Sequence, residues 1–201
     1  MRIGIVTLPL NTNYGGNMQA YALQTVLKRL GHDVWVINKL PYFELPSFKS
    51  ILNRHIHNLF SSNKIDVYVE RHLNEKIDES FNSNTDLLEK TGGFINLYIQ
   101  QKKIKYFSEL QSGDFDVFFV GSDQCWRPIY ANPIQGYYLD FAKSWNVKRI
   151  AYAASFGVDK WEYSENDTLK CKKLAKMFDA VSVREDSGVG LCKLYLDIEK
   201  I

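Results

Sequence analysis

The sequence is sparing with the residues that mark specialised chains. It has three cysteines, Cys125, Cys171 and Cys192, an odd number with no CxxC pair. That excludes a disulfide framework and argues against a structural zinc site. Five prolines and twelve glycines are too few for a collagen-like or low-complexity chain. The four histidines offer no metal-ligand spacing: His32 follows a helix-ending glycine, and His55 and His57 lie two apart in a segment of helical pattern, with His72 remote from both. No apolar run approaches the ~20 residues of a membrane-spanning helix, and residues 2–8 are too short a run for a signal peptide. A cytoplasmic protein is therefore expected. A surplus of one charge is lacking too. Twenty-five Lys and Arg face 23 Asp and Glu, a formal +2, without the basic excess of an electrostatic nucleic-acid binder. Neither a nucleic-acid partner nor a metal or other cofactor is expected.

What the chain does have is core-forming material: 201 residues, 45% hydrophobic and 14% aromatic, enough for one sizeable domain or two small ones. Residues 2–8 form a short apolar run that predicts a buried strand. A turn-rich loop over residues 11–17 leads to a helix predicted over 17–30, with Leu23, Val26, Leu27 and Leu30 at helical spacing. Gly31 is placed to end it in a left-handed conformation, and a second strand is expected over residues 33–38. Strand, helix and strand joined by short connections predict a βαβ unit with parallel strands. Residues 40–112 read as a helical insertion without a strand: Phe48, Ile51, Leu52, Ile56 and Leu59 repeat at helical spacing, and residues 68–78 and 93–110 also look helical. Strands resume at 116–120, 149–154 and 180–183. The helix between the last two carries Cys171, Leu174, Ala175 and Phe178 on one face, and a final helix carries Leu191, Cys192 and Tyr195. The fold class expected is α/β, an open parallel sheet of Rossmann type with helices on both faces and a helical insertion. A further strand would be expected after the last helix of such a sheet.

Ligands of open α/β sheets bind at the carboxyl ends of the strands, and three loops qualify. The first runs Asn11-Thr12-Asn13-Tyr14-Gly15-Gly16-Asn17. Its paired glycines permit close approach to a ligand and its helix start suits an anion, but it is neither a GxGxxG nor a Walker loop, and a tight turn capped by Asn17 explains it equally well. The second, Gly121-Ser122-Asp123-Gln124-Cys125-Trp126-Arg127-Pro128, concentrates functional groups. Ser122, Asp123 and Gln124 suit sugar hydroxyls, Trp126 suits stacking on a sugar face and Arg127 suits an anion. Cys125 lacks a neighbouring histidine base and reads as a small buried hydrophobe. The third, Ser182-Val183-Arg184-Glu185, puts Arg184 at the end of the last strand, where it would meet a carboxylate or phosphate or else pair with Glu185 or Asp186.

Five ordered blocks together resemble the polysaccharide pyruvyl transferase family. They are Asn13-Tyr14-Gly15-Gly16-Asn17-Met18-Gln19-Ala20-Tyr21-Ala22-Leu23-Gln24 with Leu30-Gly31-His32-Asp33-Val34; residues 115–128, which include Gly121-Ser122-Asp123-Gln124-Cys125-Trp126-Arg127-Pro128 against a family pattern close to GSDQ-x-W-x-P; Tyr137-Tyr138-Leu139-Asp140-Phe141; residues 149–157; and Val181-Ser182-Val183-Arg184-Glu185. The resemblance implies one lobe of a two-lobed, GT-B-like fold, with the second lobe carrying much of the donor site, a histidine acid included. It implies transfer of an enolpyruvyl unit from phosphoenolpyruvate to saccharide hydroxyls, giving a pyruvyl ketal in cell-surface glycan synthesis. By this resemblance Arg184 serves the donor and Asp123 is a catalytic candidate. Asn13, Tyr14, Gly15, Gly16, Asn17, Ser122, Gln124, Trp126 and Arg127 would hold substrate. The acceptor would be free or carried on a lipid at the inner face of the membrane. A homo-oligomer, or a partner chain supplying the second lobe, would complete the site. Arg127 departs from the family pattern, where asparagine is common, so acceptor contacts there should differ. A truncated, non-catalytic saccharide-binding module and a lobe of a sugar-nucleotide glycosyltransferase are the alternatives.

Overall fold

A computed structural model describes residues 1–11, 13–40 and 85–201, the last segment with side chains from residue 91. Its centre is a six-stranded sheet in which every pairing is parallel. The strands are β1 (Arg2–Val6), β2 (Asp33–Lys39), β3 (Gln101–Ile104), β4 (Val117–Val120), β5 (Lys148–Ala154) and β6 (Ala180–Val183), in spatial order β3-β2-β1-β4-β5-β6. This is the doubly wound Rossmann order, and its reversal point lies between β1 and β4.

Alternation along the strands builds two cores. Ile3 and Ile5 of β1, Val34 and Val36 of β2 and Val117 of β4 face one side, with Ala20 and Leu27 of α1 (Tyr14–Arg29) and Ile95 of α2 (Thr85–Tyr98). Val6, Ile37, Phe118 and Val120 face the other side. There they join an aromatic-rich cluster of Phe107, Trp126, Tyr137, Tyr138 and Phe156, with Cys171 and Ala175 of α3 (Glu165–Ala175) and Leu191 of α4 (Asp186–Leu191). Helices thus cover both faces, as expected. Residues Met1–Leu40 and Thr91–Ile201 make up one compact unit.

The differences from the sequence reading have local causes. Helix α1 starts at Tyr14, not Asn17, because the Asn13 side chain caps it by accepting the Gly16 N–H at 3.2 Å. Its buried stripe is Asn17, Ala20, Gln24 and Leu27, whereas Val26 and Leu30 are exposed. Gln24 is buried because its amide is fully used: it donates to the carbonyls of Val34 and Gln100 and accepts from the Gln100 N–H. That clamp fastens α1 to β2 and to the entry of β3. The end of α1 is as read: Gly31 takes φ +84°, and the N–H groups of Gly31 and His32 bond the carbonyls of Lys28 and Leu27. Strand β3 corrects the strandless reading of residues 40–112. Gln101-Lys102-Lys103-Ile104 is a polar edge strand, so it lacks the apolar run that marks a central one. The expected helix over 93–110 is correspondingly reduced to the end of α2 and a 3₁₀ turn at Phe107–Glu109. The helical spacings at 48–59 and 68–78 lie outside the described residues. At the other end, the final helix gives way after Leu191 to a π-helical turn at Cys192–Leu196. Among the described residues no helix is long and apolar enough to cross a membrane.

Candidate functional site

The sheet's reversal point brings the first two loops together. A cleft of about 540 Å³ opens there, a size typical of small-ligand sites. Leu8, Pro9 and Asn11 line it after β1, with Asn13 and Gly16 at the start of α1. Asp123, Gln124, Ile129 and Tyr130 line it after β4. Of the residues expected to bind substrate, Asn13, Gly16 and Gln124 line the cleft with the catalytic candidate Asp123, while Tyr14, Gly15, Asn17, Ser122, Trp126 and Arg127 do not.

Asp123 is the hub. Its Oδ2 accepts from Asn13 Nδ2 at 3.4 Å, its Oδ1 accepts the Gln124 N–H at 2.9 Å, and Arg184 Nη1 stands 3.9 Å from Oδ1. A Cβ on Gly16 would stand 2.9 Å from Oδ2, so the glycine lets α1 approach the carboxylate. Three loops therefore meet at one side chain, which is 12% exposed. The backbone under it is unusual. Asp123 has φ +97°, Gly121 has φ +123° and the Gly121–Ser122 peptide is cis. The loop is fastened to the end of β5: the Ser155 N–H bonds the Asp123 carbonyl at 3.0 Å, and the Trp126 N–H bonds the Ser155 carbonyl at 3.1 Å. Next to it β5 changes register between Ala151 and Ala154, with Ala153 at φ +48°. Register shifts and positive-φ residues other than glycine, as at Ala153 and Asp123, collect at functional sites.

Arg184 reaches Asp123 from the end of β6 without itself lining the cleft. Its Nη2 donates to Ser155 Oγ at 2.9 Å and lies 3.1 Å from Glu185 Oε1. Ser155, fully buried, donates in turn to Glu185 Oε1 and accepts the Gly157 N–H. Of the two sequence alternatives for Arg184, the structure shows the ion pair, with Glu185, and it also turns the guanidinium toward Asp123. One guanidinium faces two carboxylates, so the cluster carries a formal −1.

The other expected site residues have structural partners. Trp126 is fully buried. Its ring stacks on Tyr138 at 4.8 Å and its indole N–H donates to the Tyr137 carbonyl at 3.1 Å. A ring so covered offers no face to a sugar; it anchors the loop from below. Arg127 is held by Glu162 through two hydrogen bonds, at 3.0 and 3.3 Å, and by Gln124 Oε1 at 3.3 Å. Its charge is therefore matched within the chain. Ser122 Oγ donates to Gln19 of α1 at 3.2 Å. Asn17 is buried and donates to the Asn11 carbonyl at 2.6 Å, shaping the first loop from inside. Tyr14 and Gly15 are exposed on the first turn of α1. Burial pushes the Cys125 thiol up to about 12, which leaves it protonated and inert at neutral pH. Among the described residues, no three His, Cys, Asp or Glu side chains are placed to hold a metal ion.

The sequence reading named Glu185 as a partner of Arg184 but missed Ser155, which also holds Arg184, and Leu8, Pro9, Ile129 and Tyr130, which line the cleft. Ser155 had no signal beyond its place in the 149–157 block.

No curated protein and no solved structure matches this chain with significance. The family model described as polysaccharide pyruvyl transferase matches residues 13–200. That span covers the first loop from Asn13 onward and the whole of the other two, and the chain belongs to the polysaccharide pyruvyl transferase family.

Proposed function

We propose that this chain takes part in transfer of an enolpyruvyl unit from phosphoenolpyruvate to two hydroxyls of a saccharide, in cell-surface glycan synthesis. The observation that carries the reading is the meeting of Asn13, Asp123 and Arg184 at the sheet's reversal point, inside a family match that spans residues 13–200. In the reaction the donor's methylene carbon takes a proton and becomes a methyl group. The two acceptor oxygens bond to the adjacent carbon, one acceptor proton ends on that methyl group and the other leaves with phosphate. Asp123 is the group in the cleft suited to take a hydroxyl proton. Its 3.9 Å separation from Arg184 exceeds a hydrogen bond, which leaves lone pairs for an acceptor hydroxyl. Arg184 would meet the donor's carboxylate or phosphate beside Asp123. Because it already faces two carboxylates, donor binding there would need a further cation. Among the described residues lining the cleft there is neither a lysine, an arginine nor a histidine. In this reading the acid that protonates the donor and part of the anion clamp come from groups outside that lining, as the second lobe implied by the family resemblance would provide. The protein would act in the cytoplasm, on a saccharide free or carried on a lipid at the inner membrane face.

The test is phosphate release from phosphoenolpyruvate, with and without pyranosides offering paired hydroxyls. With the groups that complete the donor site supplied, on the same chain or by a partner, acceptor-dependent release is expected, with Asp123→Asn lowering kcat about 10²-fold or more and Arg184→Ala raising the donor KM. Saccharide binding without phosphate release would favour a non-catalytic saccharide-binding module instead. Response only to nucleotide sugars would favour a glycosyltransferase.

A further inference from the structure

The cleft carries a feature that the loop motifs did not mark. Tyr130 is about half exposed (53%) and lines the cleft beside Asp123 and Gln124. It is held in place rather than loose. Its N–H bonds the Arg127 carbonyl at 3.1 Å, and the Arg127 guanidinium lies over its ring at 5.5 Å, a cation–π contact. That guanidinium is fixed in turn by the two hydrogen bonds to Glu162. A ring fixed before binding loses little freedom when a ligand settles on it. Beside it Ile129 is 71% exposed, which extends the apolar rim.

The surrounding chemistry selects the ligand. A stacking ring next to a carboxylate and three side-chain amides (Asn11, Asn13 and Gln124) suits a neutral polyol with one apolar face. An anion would meet Asp123 with no lysine or arginine among the described lining residues.

We propose that Tyr130 is the platform on which a pyranose ring of the acceptor rests, with Asp123 and Gln124 taking its hydroxyls. This deepens the reading of the cleft as the acceptor site of pyruvyl transfer and rests on it. It also replaces Trp126 as the stacking residue.

The test uses methyl β-D-galactopyranoside, whose paired hydroxyls lie opposite a contiguous C–H face, with the gluco and manno pyranosides beside it. Affinity is read by saturation-transfer NMR without phosphoenolpyruvate, and KM and kcat by phosphate release with it. Tyr130→Phe keeps the ring and is expected to bind within about twofold of wild type. Tyr130→Ala is expected to weaken binding and raise the acceptor KM about tenfold, with kcat little changed. An unchanged Tyr130→Ala overturns the proposal, as does an equal loss in Tyr130→Phe, which would assign the effect to the hydroxyl. So does a wild-type protein that binds none of the three pyranosides. Because Tyr130 is exposed, both variants should unfold at the wild-type temperature, which checks that the comparison is of folded proteins. The two readings fail separately. Transfer that ignores Tyr130 sinks only the platform, whereas pyranoside binding that needs Tyr130 without phosphate release sinks only the transferase reading.

Discussion

Gly121 shows how tightly single residues are constrained at the site. A Cβ there would stand 2.2 Å from the Tyr152 carbonyl oxygen, at a φ of +123° that L side chains rarely adopt. Backbone, not a yielding side chain, is in the way. Gly121→Ala should therefore cost more than ~2 kcal/mol, measured as a lower denaturant midpoint, and should displace Asp123 with it. An unchanged midpoint would mean that the loop has another conformation available. At this scale the sequence showed which residue types were gathered but not which way they face. Asp123 and Trp126 lie three apart in one loop, yet one lines the cleft and the other packs under Tyr138. The positive φ of Asp123 and the pinning of residues 123–126 to the end of β5 decide this. Neither leaves a spacing signal in the chain.

The elements follow the same division. Central strands were legible because burial on both faces demands apolar residues, as in Val117-Phe118-Phe119-Val120. Edge strand β3 was not, because its polar residues satisfy only one neighbour and solvent. The start of α1 was misplaced for a related reason: Gly15 and Gly16 resemble a loop, yet Asn13 three residues before Gly16 caps a helix that includes both. Asn13 thus has two tasks, capping α1 through Oδ1 and bonding Asp123 through Nδ2. Asn13→Ala should remove about 1 kcal/mol of stability, a fall of roughly 2–4 °C in the melting temperature for a chain of this size. Asn13→Asp should keep the cap but set a second negative charge beside Asp123. Its melting temperature should stay nearer wild type while acceptor KM rises. Equal losses of stability in the two variants would separate the capping role from Asn13.

Across the whole molecule, strand and helix alternation was enough to give the sheet class, while the position of the cleft needed the strand order. Only the placement of β1 between β2 and β4 makes the Asn13 and Asp123 loops neighbours. Stability should respond to acid through carboxylates far from the cleft. The Lys102 ammonium 2.7 Å away holds Asp114 below the usual carboxylate range. The N–H groups of Tyr106 and Lys105 do the same for Glu109, and Lys172 and Lys176 for Asp197. Groups whose folded pKa is depressed bind fewer protons than the unfolded chain, so their contribution is complete above the unfolded pKa near ~4 and is lost as pH falls through the folded values. The melting temperature should be flat from about pH 7 to 5 and fall below about pH 4. A rise on acidification would contradict these pairings. Charge reversal at exposed Asp197 should soften the fall only slightly, since surface pairs contribute little.

If substrates meet at the carboxyl ends of β1 and β4, amide NMR shifts will report it residue by residue. The spectrum would be followed while phosphoenolpyruvate, and then methyl β-D-galactopyranoside, is added to the protein. Shifts are expected to concentrate at residues 13–16 and 121–130, with the saccharide moving Gln124 and Tyr130 most; the donor is expected to move residues 184–185 once the groups that complete its clamp are present. Shifts gathered at the β3 edge or along α3, with these loops unmoved, would contradict that meeting place.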